Sequence, residues 1–298
     1  MKKRNMHATS LTTHQVLFKT KQLKELMKLR LSGLVVFSGA FGYMLAIGEV
    51  FYWGKFLALL AGSLLITGAA NAINQIIERD LDKQMKRTAN RPMPTGGLSV
   101  KEAVLFVIVL TAIGTVLLVS FVNLFAASLA LLSLILYGFV YTPLKQITPL
   151  SVLVGAFPGA FPPLIGWVAA TGEISTAAII IYGIQFFWQF PHFWAIAWVA
   201  NEDYTNAGFK MLPYGKSLQT ATQIMIYTLF SLPLSILPFQ VQMTGLTSAI
   251  IAGVASVAFL ALSFVLIRKQ TDKAAKQIMF ASFLYLPIIQ IAYLLDKL

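Results

Sequence analysis

Residues 71–94 read NAINQIIERDLDKQMKRTANRPMP and combine amides, acids and several cations at the end of a hydrophobic segment. If this stretch is helical, Asn74, Glu78 and Asp82 recur at i, i+4 and i+8 and therefore share one face. Ionisable groups at the edge of a membrane segment are costly and are usually functional. The stretch therefore predicts both a membrane helix and a binding site at its end.

The chemistry of this segment favours a phosphorylated ligand. Carboxylate oxygens are the ligands that Mg²⁺ prefers, and one or two of them suffice when a substrate phosphate supplies the others. Arg87 and Arg91 follow the acids, and a guanidinium can bind two phosphate oxygens at once. Cations beside a membrane are also what orientation alone requires, so these two could instead be topological signals or lipid contacts.

The composition excludes a soluble globular domain. The 298 residues are 57% hydrophobic and only 11% charged, whereas about 25% charged residues is usual in soluble domains. A membrane-crossing helix needs about 20 mostly apolar residues. An all-α membrane protein with nine transmembrane helices is predicted, at residues 31–48, 56–77, 104–120, 122–141, 150–170, 175–199, 221–239, 246–267 and 275–295.

The distribution of positive charge predicts the orientation. With the N-terminus in the cytoplasm, all 23 Lys and Arg except Lys55 and Lys297 fall on the cytoplasmic side, as the positive-inside rule requires. The C-terminus is then outside the cell membrane. Residues 1–20 are interpreted as a mobile basic tail, and residues 21–298 as a single transmembrane domain.

Two further features exclude classes of function. The chain has no Cys, which excludes disulfides, thiolate metal sites and a cysteine nucleophile. The net charge of +12 is explained by topology, and no nucleic-acid-binding motif accompanies it. We therefore expect a lipid bilayer as a partner and no nucleic acid.

A second polar cluster follows the sixth predicted span and faces the same compartment. Its candidate residues are His192, Glu202, Asp203, Tyr204 and Lys210. Asp203 is the best candidate for a further metal ligand, although both acids could simply cap a loop helix. A histidine surrounded by aromatic residues is more often an interior residue than a ligand. The third cytoplasmic loop, residues 141–148, adds Tyr141 and Lys145 at the membrane edge.

The first cluster resembles a known motif. Asn74, Gln75, Glu78 and Asp82 stand at the spacing of the NDxxDxxxD motif of the UbiA superfamily of intramembrane prenyltransferases, and Asp203 stands where the second acidic motif is found. The form NQxxExxxDxxMxRTxxRP is most similar to the branch of the superfamily that farnesylates haem. Further matches are the segments YTPLKQIT, GAFPGAFPPLIGW, PHFWAIAW and EDYTNAGFKMLP.

The resemblance implies a nine-helix bundle that transfers a farnesyl group from farnesyl diphosphate to a vinyl group of haem B, with addition of water, to give haem O. It implies Mg²⁺ as cofactor, bound by Glu78, Asp82 and Asp203. It implies catalytic roles for Asn74, Glu78, Asp82 and Asp203, diphosphate binding by Arg87, Arg91, Lys145 and Lys210, and weaker contacts with haem or prenyl chain by Asn71, Gln75, Tyr141, His192, Glu202 and Tyr204.

Two alternatives remain open from the residues. A prenyltransferase of the same superfamily that acts on an aromatic acid or quinone precursor would carry Asp at the positions of Gln75 and Glu78. A transporter would place polar groups near the membrane midplane, whereas these acids gather at one face. A haem A synthase or a terminal-oxidase assembly is a plausible recipient of the product.

Overall fold

The computed structural model describes residues 13–298, with the side chains of residues 13, 14 and 16 left undescribed. Over this part of the chain the regular secondary structure is helical, apart from one isolated bridge between Thr244 and Lys297. The helices are α1 (Thr13–Met27), α2 (Leu29–Ala46), α3 (Trp53–Ile77), α4 (Arg79–Asp82), α5 (Val100–Phe121), α6 (Leu124–Ile135), a π-helical turn (Leu136–Tyr141), α7 (Thr142–Ile147), α8 (Ser151–Thr171), α9 (Thr176–Val199), α10 (Asn201–Asn206), α11 (Leu218–Gln240), α12 (Leu246–Lys269) and α13 (Asp272–Leu295).

The predicted all-α membrane bundle is confirmed. Within residues 13–298, eight helical segments are long and apolar enough to cross a membrane; one of them is the continuous segment Leu124–Ile147. The ninth long helix, α9, has 24 residues but contains the polar side chains of Gln185, Gln189 and His192. All three are buried inside the bundle, so the lower hydropathy of α9 reflects its inward face.

Some helix boundaries differ from the prediction for local reasons. The third span begins at Val100 rather than at residue 104, because Ser99 and Glu102 form a reciprocal capping box. The fourth span does not end at residue 141 but continues through the π-helical turn into α7. Of the predicted mobile tail, residues 13–20 lie in α1 and residues 1–12 lie outside the described part, so the division into tail and domain stays a prediction.

Small residues allow α2 and α8 to cross closely. A Cβ atom at Gly166 would lie 1.9 Å from the carbonyl oxygen of Gly39, and one at Gly42 would lie 2.0 Å from that of Pro163. Backbones approach this closely only where side chains are absent, as is common between membrane helices. This crossing sets one wall of the interior.

The polar loops gather at one end of the bundle. Lys216 pairs with Asp272 at 2.7 Å, and the backbone N–H of Lys210 donates to the carbonyl of Lys145 at 2.7 Å. Lys297, which follows α13, instead donates to the carbonyl of Met44 at 3.2 Å at the opposite end. The loops predicted to share a side of the membrane therefore do share an end of the bundle.

Candidate active site

A cavity of about 520 Å³ opens among α2, α3, α8, α9 and α13. Its polar end lies at the end of α3, and its interior is lined largely by apolar and aromatic side chains. The sequence-predicted residues that line it are Asn71, Asn74, Glu78, Asp82, Arg87, Arg91, Tyr141, Lys145, His192 and Tyr204. Two predicted clusters far apart in sequence thus meet in one space.

Glu78 marks the end of α3, where it is buried and turns the chain into α4. Its backbone leaves the helical region at φ −90° and ψ 5°, yet its carbonyl still accepts from the N–H of Asp82 at 2.8 Å. The predicted one-face arrangement of these two acids therefore survives the break. The carboxylate of Glu78 forms an ion pair with Lys145, whose side chain is only 12% exposed.

Asp82 is fully buried and is held by the loop that follows it. Nη1 of Arg91 lies 3.0 Å from Oδ1 and 2.8 Å from Oδ2 of Asp82. The hydroxyl of Thr88 donates to the backbone carbonyl of Asp82 at 2.8 Å. The RTxxRP segment thus folds back onto Asp82. Arg87, in the same segment, lies beside Tyr204, with its guanidinium 5.9 Å from the ring centre.

Lys145 is placed by aromatic rings as well as by Glu78. Its ammonium lies 5.1 Å from the ring centre of Tyr141 and 5.2 Å from that of Phe209, distances at which a cation is attracted to a ring face. The π-helical turn lies immediately before α7; such turns are frequent at functional sites. It places Tyr137 and Tyr141 on the cavity wall.

Lys28 lies in the cavity wall. From the sequence it was counted only among the cytoplasmic cations and was not predicted as a site residue. It joins α1 to α2 in the left-handed region, at φ 50° and ψ 56°, which is uncommon for a residue with a side chain. Its ammonium donates to Oδ1 of Asn74 at 3.3 Å. Burial, together with the positive charges of Arg91 and Lys145, lowers the pKa of Lys28 to about 7.

Two side-chain amides of the first motif stabilise the left-handed turn at Lys28 between α1 and α2. Nε2 of Gln75 donates to the carbonyl of Leu26 at 2.8 Å, and Nδ2 of Asn71 donates to that of Met27 at 3.3 Å. Gln75 is fully buried and is not part of the cavity wall. Gln75 positions the chain before Lys28, and its contact with a substrate stays a prediction.

The two acids of the second cluster are not in the cavity wall, so their predicted role at the site stays a prediction. Asp203 is half-buried and outside the cavity lining, whereas the next residue, Tyr204, lines it. Neighbouring positions on a helix point about 100° apart, and of these two residues on α10 only Tyr204 is in the cavity wall. In the described part of the chain, no group of three or more His, Asp or Glu side chains is placed to hold a metal.

Glu202 and Lys210 are exposed and are also outside the cavity wall. The backbone of Lys210 does contribute, because its N–H donates to the carbonyl of Lys145. That contact links the loop after α10 to α7. Contacts of these two side chains with a substrate therefore stay a prediction.

The polar end carries excess positive charge. Four cations line it, namely Lys28, Arg87, Arg91 and Lys145, against the two acids Glu78 and Asp82. With all of them charged, the difference of four and two leaves a charge of +2. Such a site favours a multiply charged anion, and guanidinium and ammonium groups are the usual partners of phosphate oxygens.

The donor set fits a divalent metal only together with an anion. Two carboxylates line the cavity, and each is already paired with a cation. Two carboxylates match the usual needs of Mg²⁺ when phosphate oxygens complete its coordination. They do not amount to a site made by protein alone.

The chain resembles known proteins over most of its length. Residues 35–286 match the UbiA prenyltransferase family. A protoheme IX farnesyltransferase of Cytophaga hutchinsonii is 50% identical over 276 residues, which cover 92% of this chain and 96% of that protein.

Solved structures support the same architecture. A digeranylgeranylglyceryl phosphate synthase superposes with a TM-score of 0.79 at 18% identity, covering 93% of this chain and 98% of that one. A UbiA homologue from Archaeoglobus fulgidus bound to GPP and Mg²⁺ gives 0.64 at 18% identity, covering 92% and 99%. At these identities the two structures support the fold alone.

Proposed function

Because the chain belongs to the UbiA prenyltransferase family, we propose that it transfers a farnesyl group from farnesyl diphosphate to a vinyl group of haem B. Addition of water then gives haem O. The name of the relative from Cytophaga hutchinsonii supports the choice of acceptor and donor. The observation that carries the proposal is a single cavity with a cationic end and a largely apolar interior.

The cationic end binds the diphosphate. Arg87, Arg91 and Lys145 supply donors to its oxygens, and Lys28 adds a fourth cation. As the bond between the prenyl carbon and oxygen breaks, the electron pair leaves with the diphosphate, so negative charge grows there. Cations fixed in a site of low polarity stabilise such charge without first reorienting water.

Glu78 and Asp82 are the residues that would hold Mg²⁺, and bound Mg²⁺ would neutralise charge on the departing diphosphate. Asn74 lies one turn before Glu78 and donates to the hydroxyl of Thr142 at 3.3 Å. It fixes the ammonium of Lys28 beside the two acids. Asp203 as a third ligand stays a prediction.

The apolar interior holds the farnesyl chain and the porphyrin. The vinyl carbon of haem attacks the allylic cation, which forms the new carbon–carbon bond and moves positive charge next to the macrocycle. Water adds at that carbon and releases one proton. Exclusion of bulk water until that step protects the first cation, and the ring faces of Tyr137 and Trp188 on the wall can stabilise it.

The site lies in a multi-pass membrane protein, and we place it in the cell membrane with its cationic end and N-terminus in the cytoplasm. The gathering of basic loops at one end of the bundle supports this orientation. A haem A synthase or an oxidase-assembly protein as recipient of the product stays a prediction.

Product analysis tests the proposal. Purified protein in lipid nanodiscs is supplied with haem B, farnesyl diphosphate and Mg²⁺, and the haems are analysed by mass spectrometry. We expect a haem that is heavier by one farnesyl unit and one water. Glu78→Gln should abolish this product, whereas Glu173→Gln, at an exposed position in the loop after α8, should not. A prenylated phenol as sole product would instead favour the aromatic-acceptor alternative, and flux without any product would favour transport.

A further inference from the structure

His192 contacts a serine whose own hydrogen bond fixes the position of the histidine proton. Nδ1 of His192 lies 2.8 Å from Oγ of Ser282 on α13. That hydroxyl also lies 2.6 Å from the backbone carbonyl of Met279, which can only accept. A hydroxyl has one proton. Ser282 therefore donates to Met279 and accepts from the Nδ1–H of His192.

In a neutral imidazole this hydrogen bond leaves the free lone pair on Nε2. This is the form in which histidine binds metals, and metal-binding histidines usually donate their other ring N–H to an oxygen in this way. His192 lines the cavity. Among the residues described, no hydrogen bond to Nε2 accompanies the one at Nδ1.

Aromatic neighbours fix the plane of the imidazole. Trp188 stacks on it with ring centres 4.6 Å apart and an angle of 20°. Phe193 and Phe283 meet it edge to face, at 5.2 Å and 5.0 Å. Trp188 is itself tied to α13, because its indole N–H donates to the backbone carbonyl of Ser282 at 2.9 Å. A histidine that only fills space does not require both its tautomer and its plane to be set.

We infer that Nε2 of His192 is an axial ligand of the iron in the haem substrate, and that Ser282 is a positioning residue for it. This inference rests on the proposed function, since it assigns a role toward the porphyrin in the same cavity. Histidine is a common axial ligand of haem iron. Ligation from α9 would anchor the macrocycle in the aromatic part of the cavity, with the cationic end left for diphosphate.

Resonance Raman spectroscopy of the complex with ferrous haem B, without farnesyl diphosphate, tests the ligation directly. We expect an iron–histidine stretching band in the unaltered protein. The chain has three histidines, so the double variant His7→Ala/His14→Ala keeps only His192 and should retain the band. His192→Gly should lose it and regain it with added imidazole. A band that persists in His192→Gly, or that is absent from the unaltered protein, would overturn the inference.

Ser282 supplies a second test, which does not depend on the folding of His192→Gly. Ser282→Ala should lower the frequency of the iron–histidine band and weaken haem affinity by about 10-fold. Ser282→Thr retains a hydroxyl and should behave like the unaltered protein. Equal spectra for the two variants would contradict the positioning role.

The inference and the proposed function fail in different ways. If the protein makes haem O but shows no band that depends on His192, the ligation is wrong and the function stands. If it makes no prenylated haem at all, the proposed function fails, whatever the Raman spectrum shows.

The ligation also predicts that the protein binds haem B more tightly than metal-free protoporphyrin, and that His192→Gly reduces this difference in affinity. An unchanged difference would contradict the ligation.

Discussion

The pair between Asp82 and Arg91 gives the sharpest test of the site, because stability and activity should respond to it differently. Asp82 is fully buried, the side chain of Arg91 is 22% exposed, and the shortest contact is 2.8 Å. At that distance, with an effective dielectric of about 20, the attraction is roughly 6 kcal/mol. Desolvation of both charges offsets most of this gain.

Asp82→Asn should therefore destabilise the protein by about 3–5 kcal/mol, because it leaves the guanidinium of Arg91 buried without its partner. Removing both charges in Asp82→Asn/Arg91→Met should recover much of that loss. The free energy of unfolding in mixed micelles measures both effects. Asp80→Asn is the matched control: Asp80 is exposed and lies two residues before Asp82, and its loss should have little effect.

Activity should follow another pattern. If Asp82 and Arg91 bind the substrate and its metal, the double variant should stay inactive although its stability returns. A double variant that regains both stability and haem O formation would show that the pair is only structural. An Asp82→Asn protein as stable as the unaltered one would refute the buried ion pair itself.

Three further predictions concern the fold, a titrating cation and the metal. Gly166→Ala should open the crossing of α2 and α8 and lower the unfolding temperature, because its Cβ would meet the backbone of Gly39 at 1.9 Å; Gly253→Ala, with nothing within 4 Å, should be neutral or stabilising. Since the pKa of Lys28 falls from 10.5 to about 7, the unfolded chain binds more protons between these values. The stability of the unaltered protein relative to Lys28→Met should therefore rise with pH from 7 to 10.5 in chemical unfolding, and a flat difference would contradict the burial. Calorimetric titration should detect weak Mg²⁺ binding to the protein alone and much tighter binding with farnesyl diphosphate present; tight binding without diphosphate would refute the shared site.

The sequence predicted the features that depend on local periodicity. The lengths of the apolar segments predicted the membrane helices. The spacing of Asn74, Glu78 and Asp82 predicted a shared face, and all three line the cavity although α3 ends at Glu78. The left-handed turn at Lys28 could not be predicted in this way. It carries no Gly or Pro, and it is held by amides more than 40 residues later.

The position of Asp203 outside the cavity wall could not be predicted for a similar reason. The sequence shows two acidic clusters on the same side of the membrane. It does not show how the six-residue helix α10 is rotated after α9, from which only Ala200 separates it. Tyr204 occupies the position toward the cavity instead. The π-helical turn before α7 was equally hidden, because its residues, LYGFVY, do not differ in composition from an ordinary apolar helix.

The ion pairs explain how a cluster of acids and cations can exist at a membrane edge. Glu78 pairs with Lys145 and Asp82 pairs with Arg91, so the charges are neutralised in pairs. On the proposed mechanism, the diphosphate would bind the two cations and the metal would bind the two acids. Each ligand would therefore release the groups that the other ligand binds. Binding of the two should therefore be mutually favourable, and by reciprocity the diphosphate must tighten the metal by the same factor as the metal tightens the diphosphate. If the proposed function is correct, this arrangement would assemble the reactive site only in the presence of the prenyl donor.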